Sequence, residues 1–464
     1  MEENPKERKM SVILRKKCIV KAMNEYLSPE RHHKLTLSNL DLLSGRFPVT
    51  YLYLYYHSRS DRGSINISNN VFESLKTSLA KTLSYYYPFA GRIVEDPQTS
   101  QTLIICDNNG ALLVEAVANI PLIHLDFYNL NQTLEQILVS CLNPDEFPFP
   151  VQVQVTCYTC GGVSITFTFD HSLGDATAFG NFLSSWSQLA RDMPLSCIPD
   201  LDLGRSLPPR LPPTYHPYFN HVFVKCTLED IRNIPKTGIL LKRLYFVDAS
   251  SINHLQTLAS ADGNKRTKIE AFSAYVWKIM ATSIDKSHAN CKMGWLVDGR
   301  GRLSHSSMSN YTGNVLSVAI EEASIVEIKQ GSISAIANNV HRAISKVTNE
   351  AHFQDLIDWI ECHKPGLMLP RFVLGREGPA LVISSGRRFP VAELDFGFGS
   401  PMLGTVGTVS STIKNSGVGY MNQRPSATGD GSWVISAILW PQLAAALESD
   451  SVLQPLCASH LQKS

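Results

Sequence analysis

Two periodicities of hydrophobic and polar residues occur along the chain, and each predicts a different kind of element. Residues 151–155 place Val at every second position between polar residues, which is typical of a half-buried strand. Leu75, Leu79 and Leu83 recur at every fourth position instead, which predicts an amphipathic helix over 71–83. Both patterns continue to the end of the chain, so they predict an α/β protein.

The same two patterns predict most of the other elements. The predicted strands cover 11–23, 51–56, 93–95, 102–106, 112–117, a hairpin over 150–169 that turns at Gly161 and Gly162, 222–227, 293–297, 315–320, 381–384, a hairpin over 405–421, and 433–440. The predicted helices cover 176–189, 249–260, 268–283, 325–347 and 441–449. Residues 35–41 are predicted to form a loop.

A change in composition divides the chain into two halves. Prolines accumulate over 192–217, and no long regular element survives such a density of proline. A chain of 464 residues also exceeds what one hydrophobic core usually supports. We therefore predict two mixed-sheet domains, 1–191 and 218–464, joined by a crossover loop over 192–217.

The composition is that of a globular protein without a strong electrostatic preference. Hydrophobic residues make up 44% and charged residues 18%, and the formal net charge is +1. We therefore expect neither nucleic acid nor an acidic membrane surface as a partner. No apolar run is long enough to span a bilayer, and we expect the polar stretch 1–17 to be a solvated arm rather than a secretory leader.

The cysteines predict free thiols. Ten of them are scattered without the spacing of a disulfide framework, which favours a reducing, cytoplasmic location. Cys157 and Cys160 have the spacing of half a zinc site. They lie at the end of a predicted strand, however, where residues three apart point to opposite faces, and no second Cys or His pair matches them. We therefore predict no metal site.

His171 is the candidate catalytic residue that the local pattern places best. It follows a β-rich run over 163–169 and precedes the predicted helix over 176–189, so it lies on a short loop between two rigid elements. A neutral imidazole can accept a proton near pH 7. From the residues alone two alternatives stay open, because His171 is equally suited to a structural hydrogen bond and Asp175 to capping the helix.

Several short motifs occur in an order that is known from one enzyme family. They are 37–41 (Leu-Ser-Asn-Leu-Asp), 86–92 (Tyr-Tyr-Pro-Phe-Ala-Gly-Arg), His171-x-x-x-Asp175, Asp298-Gly-Arg300, Tyr311-x-Gly-Asn314 and 395–399 (Asp-Phe-Gly-Phe-Gly). Over nearly the whole chain, this ordered set resembles the plant acyl-CoA-dependent BAHD acyltransferases. The resemblance implies two mixed α/β domains of chloramphenicol-acetyltransferase-like topology with the active site in a channel between them. It also implies a monomer with an acyl-CoA co-substrate, a small-molecule acceptor, and no metal or prosthetic group.

The resemblance assigns roles to individual residues. His171 would be the general base, and because a thioester is already activated, no covalent enzyme intermediate is needed. Asp175 would point away from the histidine and pair with an arginine, for which Arg300 is the candidate, although a triad-like contact with His171 is the alternative. The resemblance also implies that Asp395 is structural. Gly397 and Gly399 would follow it as turn formers. The alternative role for Asp395 is a second acid or base.

Three positions depart from the family pattern. Ala176 replaces the usual Gly, which a helical backbone tolerates. Phe398 replaces the usual Trp and removes an indole N–H donor, so the group that stabilises the oxyanion is not identified. Ser385 is followed by Gly386 where many members have Ser-Trp. We therefore expect Ser385, Gly386, Phe398 and Asn314 to contact substrate, with a wider acceptor pocket at Gly386.

The sequence leaves three functions open. The first is O-acylation of a plant specialised metabolite, with a phenylpropanoid alcohol as one candidate, because some fragments are similar to coniferyl-alcohol-type acyltransferases. The second is N-acylation of an amine, which the same base would serve. The third is a non-catalytic family member that acts as a partner in fatty-acyl elongation.

Overall fold

The computed structural model describes residues 10–23, 33–43, 45–56, 67–139, 149–202, 207–234, 240–285, 287–303, 308–375, 378–386, 389–408 and 418–461. The strands are β1 (Val12–Val20), β2 (Lys34–Thr36), β3 (Pro48–Tyr55), β4 (Arg92–Glu95), β5 (Thr102–Ile105), β6 (Ala111–Ala118), β7 (Val151–Cys157), β8 (Val163–Asp170), β9 (Phe223–Cys226), β10 (Leu241–Val247), β11 (Asn290–Asp298), β12 (Leu316–Ser324), β13 (Leu367–Pro370), β14 (Ala380–Ser385), β15 (Leu403–Thr408), β16 (Gly419–Pro425), β17 (Trp433–Leu439) and β18 (Gln454–Pro455).

The helices lie between groups of these strands along the chain. They are α1 (Asn39–Leu42), α2 (Ile67–Tyr85), α3 (Leu130–Ile137), α4 (Ala176–Ala190), α5 (Phe219–Val222), α6 (Leu228–Arg232), α7 (Ala249–Ala259), α8 (Lys268–Ser283), α9 (Ile325–Gln330), α10 (Ile333–Val347), α11 (Glu350–His363) and α12 (Pro441–Ser449). In the described part of the chain, no helix is both long and apolar enough to cross a membrane.

Two large mixed sheets organise the described residues. The first has the strand order β1-β6-β7-β8-β3-β15, in which only β6 and β7 run parallel. The second has the order β12-β11-β14-β16-β17-β10-β18, in which β14 runs parallel to both β11 and β16. The predicted α/β class with two mixed sheets is therefore confirmed.

The helices cover the sheets with continuous apolar faces. On the first sheet, the side chain of Trp186 from α4 is fully buried and donates from Nε1 to Oγ of Ser78 on α2 at 2.9 Å. The indole therefore fills the core without leaving its N–H unpaired. On the second sheet, α8 begins with a capping box between Thr267 and Glu270 and buries a fully enclosed Trp277.

The proline-rich segment runs along the surface of α11, a helix that the sequence analysis missed. The buried carboxylate of Asp358 accepts hydrogen bonds from the backbone N–H groups of Arg210 (2.9 Å) and Thr214 (3.0 Å). The Arg210 guanidinium also pairs with Asp358 and Asp355. These contacts hold the connection between the two halves against the second half, so its path is fixed by hydrogen bonds rather than by regular structure.

Three predicted elements differ from the structure. The predicted hairpin over 405–421 is wrong, because β15 pairs with β3 in the first sheet while β16 pairs with β14 and β17 in the second. The tip between them, 409–417, and the first nine residues of the predicted polar arm lie outside the described residues.

The other two differences have local causes. The predicted helix over 325–347 is interrupted at Gly331, and Ser332 caps a new helix by accepting from the N–H of Ala335. The predicted loop over 35–41 contains the end of β2 and most of α1. That short helix begins with a capping box between Ser38 and Asp41.

Candidate active site

A large cavity lies between the two sheets. Its volume is about 1440 Å³, and its wall includes Tyr51 and His171 from the first sheet region and Trp295, Ser384 and Arg424 from the second. This volume exceeds the usual ~300–1000 Å³ of a pocket for one small ligand, so it leaves room for two substrates. Among the described residues, no group of three His, Cys, Asp or Glu side chains is placed to hold a metal ion.

His171 directly follows the last residue of β8, and its side chain lines the cavity. The preceding Asp170 fixes this turn, because its carboxylate accepts from the N–H of Ser172 (3.0 Å) and from Nε of Arg46 (2.9 Å). The backbone N–H of His171 donates to the carbonyl of Phe47, and the two rings stack with centroids 4.6 Å apart. The imidazole is therefore held both by its backbone and by an aromatic neighbour.

The electrostatic surroundings keep the His171 ring neutral near pH 7. Burial lowers the pKa of His171 below 6.5, and the nearby carboxylates of Asp175 and Asp170 offset this shift only in part. Its Nδ1 atom is buried and makes no hydrogen bond with a described residue. A neutral ring in a substrate-sized cavity has the protonation state that a general base needs.

A tight turn joins the histidine to helix α4. Gly174 has a φ of +152°, and a Cβ atom there would lie 2.6 Å from Cβ of Ala178. Glycine is therefore required by both the backbone conformation and the close approach. Ala176 is the first residue of α4, so Ala in place of the family's Gly is accommodated by a helical backbone, as we predicted.

Both carboxylate oxygens of Asp175 accept hydrogen bonds from groups other than the His171 ring. Oδ1 caps α4 by accepting from the N–H groups of Thr177 (3.0 Å) and Ala178 (3.2 Å). Oδ2 accepts from Nη1 of Arg300 at 2.7 Å and from the N–H of Val315 at 3.0 Å. Burial by itself would raise the pKa of Asp175, but the charge and hydrogen bond of Arg300, together with the N–H groups of Val315 and Ala178, outweigh it and hold this pKa below 3.8. The predicted pairing with Arg300 is therefore present, together with the helix cap, and the described contacts include no triad-like bond to His171.

Asn314 contacts the loop that carries His171. Its Nδ2 donates to the carbonyl of His171 and to Oδ1 of Asp41, both at 2.9 Å. Asp41 also accepts from the backbone N–H of Asn314 and from Ser38, and burial raises the pKa of Asp41 to about 6. We expected Asn314 to contact substrate, but the described hydrogen bonds of its side chain go to the His171 carbonyl and to Asp41.

The side chain of Asp395 stabilises the turn that follows it. Oδ1 of Asp395 accepts from the N–H groups of Gly397 (2.7 Å) and Gly399 (2.9 Å), and both glycines have positive φ. Phe398 packs edge-on against Tyr55, with ring centroids 4.7 Å apart. Neither Asp395 nor Phe398 is among the described residues of the cavity wall, so the structure offers no contact for the substrate-binding role that we expected of Phe398.

Gly386 does not open the cavity in the way that we expected. Ser385 lines the cavity and donates to Oε1 of Gln423 at 3.0 Å. A Cβ atom on Gly386 would lie 2.8 Å from the carbonyl oxygen of Gln423 and 2.9 Å from Cγ of Arg424. The space beside Gly386 is therefore filled by the neighbouring strand β16, and the side chain of Arg424 in particular occupies it.

Strand β16 contributes three side chains that the sequence analysis missed. Tyr420, Asn422 and Arg424 occupy alternate positions and all line the cavity. The sequence does contain a pattern that could have identified them, because polar side chains occupy every second position from 420 to 424. We missed this pattern because we predicted that the strand ends at residue 421.

The chain is similar in sequence to known proteins over most of its length. A model described as "Transferase family" matches residues 10–452. A shikimate O-hydroxycinnamoyltransferase from Nicotiana tabacum is 28% identical over 448 residues, which cover 93% of this chain and 97% of that protein. An anthranilate N-benzoyltransferase protein 1 from Dianthus caryophyllus is 27% identical over 449 residues, with the same coverage of 93% and 97%.

Solved structures show the same fold at low sequence identity. Vinorine synthase gives a TM-score of 0.71 at 17% identity, covering 96% of this chain and 99% of that chain. F. graminearum TRI101, solved in complex with coenzyme A and deoxynivalenol, gives a TM-score of 0.73 at 16% identity, covering 91% and 99%. At such identities the likeness concerns the fold alone.

Proposed function

This chain belongs to the Transferase family of BAHD acyltransferases, and from that membership we propose that it moves an acyl group from acyl-CoA to the hydroxyl of a small specialised metabolite. The relatives named above include O- and N-acyltransferases, so membership alone leaves the acceptor atom open. The proposal therefore depends on what the cavity and its histidine can do.

The observation that carries the proposal is the state of His171. Its ring lines a cavity between the two sheets, stacks on Phe47, and is held neutral by burial. With Nδ1 buried, Nε2 is the ring nitrogen left for a substrate. A neutral, fixed imidazole suits the removal of a proton from an acceptor, and general-base catalysis typically contributes ~10²–10⁴ in rate.

The proposed reaction needs no covalent intermediate on the enzyme. His171 takes the proton from the acceptor hydroxyl while the oxygen attacks the thioester carbonyl carbon, forming the new C–O bond. Collapse of the tetrahedral intermediate breaks the C–S bond, and the proton passes from His171 to the departing thiolate of CoA. One group that accepts and then returns a proton is sufficient because the thioester is already activated.

In this proposal Asp175 serves as an anchor. Its carboxylate is fully used by Arg300, Val315 and the first turn of α4. It therefore fixes the loop between β8 and α4 that carries His171, and it contributes a negative charge near the ring that stabilises the imidazolium formed during reaction.

N-acylation is the second candidate. The anthranilate N-benzoyltransferase is as similar to this chain as the O-acylating relative, with 27% against 28% identity. The same neutral histidine would remove a proton from an attacking amine. The two candidates differ only in the nucleophilic atom of the acceptor.

Release of free CoA thiol tests the proposal. Purified protein is mixed with one acyl donor and one acceptor at a time. The donors are acetyl-, malonyl-, benzoyl- and hydroxycinnamoyl-CoA, and the acceptors are coniferyl alcohol, shikimate, anthranilate and an aliphatic amine. We expect thiol release with at least one pair and a product whose mass has increased by the acyl group. Ester products support O-acylation, and amide products support the second candidate. No thiol release from any pair by a folded protein would contradict the proposal.

Replacement of His171 provides the specific test. His171→Ala should remain folded and bind acyl-CoA, but transfer should slow by at least ~100-fold, the lower end expected for loss of a general base. His352→Gln is the matched control, since burial lowers the pKa of His352 to about 4 while its ring bonds to Ser317 rather than lining the cavity. Turnover near wild type in His171→Ala would remove this residue from the mechanism.

A further inference from the structure

Asp41 is a buried carboxylate whose burial is not explained by the helix that it caps. The residue belongs to α1, is 1% exposed and lines the cavity. Its Oδ2 completes the capping box of α1 by accepting from the N–H (3.0 Å) and the Oγ (2.6 Å) of Ser38. Burying a charge is costly, and the cap uses only one of the two oxygens, so the burial of Oδ1 needs a further explanation.

The described contacts of Oδ1 are with Asn314, in the second half of the chain. Oδ1 accepts from the backbone N–H of Asn314 at 2.6 Å and from its Nδ2 at 2.9 Å. Burial raises the pKa of Asp41 to about 6, so the carboxylate is mostly ionised at pH 7 and can only accept hydrogen bonds. A group that only accepts holds the Asn314 amide with its N–H₂ group toward Asp41.

The same amide lies against the loop that carries His171. Its Nδ2 also donates to the His171 carbonyl at 2.9 Å, so both of its hydrogens are used. Oδ1 of Asn314 and Nδ1 of His171 are both buried and have no hydrogen-bond partner among the described residues. Burial lowers the pKa of His171, and the Asn314 side chain is among the groups that oppose this shift, so the amide is close to the ring. Oδ1 is therefore a suitable acceptor for a proton on Nδ1.

The backbone on both sides of Asn314 is held by the ion pair of Asp175 and Arg300. Oδ2 of Asp175 accepts from the N–H of Val315 at 3.0 Å, and Nη2 of Arg300 donates to the carbonyl of Gly313 at 2.7 Å. These contacts fix the path of the chain but not the orientation of the side-chain amide. That orientation depends on the two acceptors that face Nδ2, and only the carboxylate carries a charge.

The tautomer of His171 decides which ring nitrogen can act as a base. A neutral imidazole carries its proton on one nitrogen and a lone pair on the other, and the hydrogen bond made by one nitrogen sets the state of both. With the proton on Nδ1, the lone pair is on Nε2, the nitrogen left for a substrate. An acceptor beside Nδ1 favours this form, whereas an amide turned the other way would present its N–H₂ group and favour the reverse.

We propose that Asp41 is a positioning residue, which selects the Nδ1–H tautomer of His171 through the Asn314 amide. The aspartate of a Ser-His-Asp triad selects the tautomer by direct contact with the ring; here an amide lies between the carboxylate and the imidazole. This inference rests on the proposed role of His171 as the base. The tautomer itself can be measured without turnover.

Nitrogen NMR of ring-labelled histidines tests the inference independently of activity. The chemical shifts of the two ring nitrogens distinguish the tautomers, and His171→Ala identifies the signal. Near pH 7 we expect the Nδ1–H form to predominate by about tenfold in wild-type protein, the preference that one buried hydrogen bond supplies, and to lose this predominance in Asp41→Asn. The reverse tautomer in wild type, or an unchanged tautomer in folded Asp41→Asn, would overturn the inference even if thiol release establishes acyl transfer.

Asp358→Asn is the matched control. Asp358 is also a buried carboxylate that accepts from backbone N–H groups, those of Arg210 and Thr214, and it is not among the described residues of the cavity wall. We expect this variant to lower the unfolding midpoint without changing the His171 tautomer. An equal tautomer shift in Asp358→Asn would indicate general loosening of the structure and contradict the proposal. Should Asp41→Asn fail to fold, Asp41→Ser supplies the measurement, because a hydroxyl fits the same space without the charge.

Kinetics then separates an effect through Asn314 from a direct one. Asp41→Asn should lower kcat about tenfold or more, with little change in the KM for acyl-CoA. In the Asn314→Ala background the same substitution should change kcat by less than about twofold, because the amide through which it acts is absent. Independent, additive losses of kcat in the double variant would contradict the path through Asn314.

Discussion

Nη1 of Arg300 donates to Oδ2 of Asp175 at 2.7 Å, and both side chains are almost fully buried, with exposures of 3% and 1%. The pair joins two distant parts of the chain, since Asp175 opens helix α4 and Arg300 follows β11. Because Asp175 is four residues from His171, this ion pair joins the loop that carries His171 in the first half to the second half. We therefore expect the stability of the fold and the position of His171 to be coupled.

Loss of this ion pair should lower stability and activity together. Asp175→Asn replaces an acceptor by an amide whose N–H₂ group faces the Arg300 donors, and breaking a buried pair typically costs ~3–5 kcal/mol. We expect a lower thermal unfolding midpoint and slower acyl transfer. Asp192→Asn is the control, because Asp192 is 87% exposed in its contact with Lys81 and surface pairs contribute little. An unchanged unfolding midpoint in Asp175→Asn would contradict the anchoring role.

The pH dependence of activity should reflect the lowered pKa of His171. Burial lowers this pKa below 6.5, so at pH 6.5 more than half of the rings are neutral, and half of them become charged only at a lower pH. We expect kcat/KM to fall on the acid side with an apparent pKa below 6.5. The unfolded chain takes up this proton at higher pH than the folded one, so the contribution of His171 to stability is lost as the pH falls from 6.5 through its folded pKa.

Asp41 titrates in a neighbouring range and must be separated from His171. Its pKa is raised to about 6 by burial, so its contribution to stability falls as the pH rises from 3.8 to about 6, opposite in sign to that of His171. NMR of ring-labelled histidines measures the His171 pKa directly, and His171→Ala identifies its resonance. A His171 pKa above 6.5 would contradict the inferred neutral state.

Asn314 should act as a positioning residue. Its side chain donates to the His171 carbonyl, and its Oδ1 and the Nδ1 of His171 are both buried without a hydrogen-bond partner among the described residues. Donation from Nδ1–H to this Oδ1 would satisfy both atoms and would leave Nε2 as the base. We expect Asn314→Ala to lower kcat about tenfold or more, with little change in the KM for acyl-CoA.

The control for this prediction is another buried amide. Asn39 donates to the Ile357 carbonyl and to Glu361, away from His171. Asn39→Ala should lower stability to a similar extent while kcat changes little. The pH profile gives a second measurement, because loss of the Asn314 amide should shift the acid limb and loss of the Asn39 amide should not. Equal losses of kcat in both variants would indicate a purely structural role.

Gly386 should tolerate no side chain without displacement of strand β16. A Cβ at this position meets the Gln423 carbonyl oxygen at 2.8 Å and Cγ of Arg424 at 2.9 Å. Overpacking of this kind typically costs ~1–3 kcal/mol, so we expect Gly386→Ala to lower the unfolding midpoint. Gly301→Ala is the control, because a Cβ at Gly301 meets nothing within 4 Å. The same midpoint in both variants would contradict the close packing at Gly386.

Local sequence patterns were sufficient to predict the elements on either side of the loop that carries His171. The β-rich run before His171 and the helical spacing after Ala176 predicted β8 and α4, and the structure has these elements at Val163–Asp170 and Ala176–Ala190. Both depend on interactions between residues close in sequence, such as the Asp175 cap, and on one buried face each. The resemblance to the family added the Arg300 pairing, which no local pattern contains.

The pairing of strands and the contents of the cavity depended on the tertiary structure. Whether β15 pairs with β16 or crosses to β3 is decided by contacts between residues hundreds of positions apart, and the alternation of residues within β15 is the same in either case. Likewise, nothing local distinguishes Arg424 from an exposed strand arginine. Arg424 is buried between the rings of Tyr51 in β3 and Phe389 in the segment that follows β14. This burial follows only when the two halves of the chain pack together, because each half supplies one of the two rings.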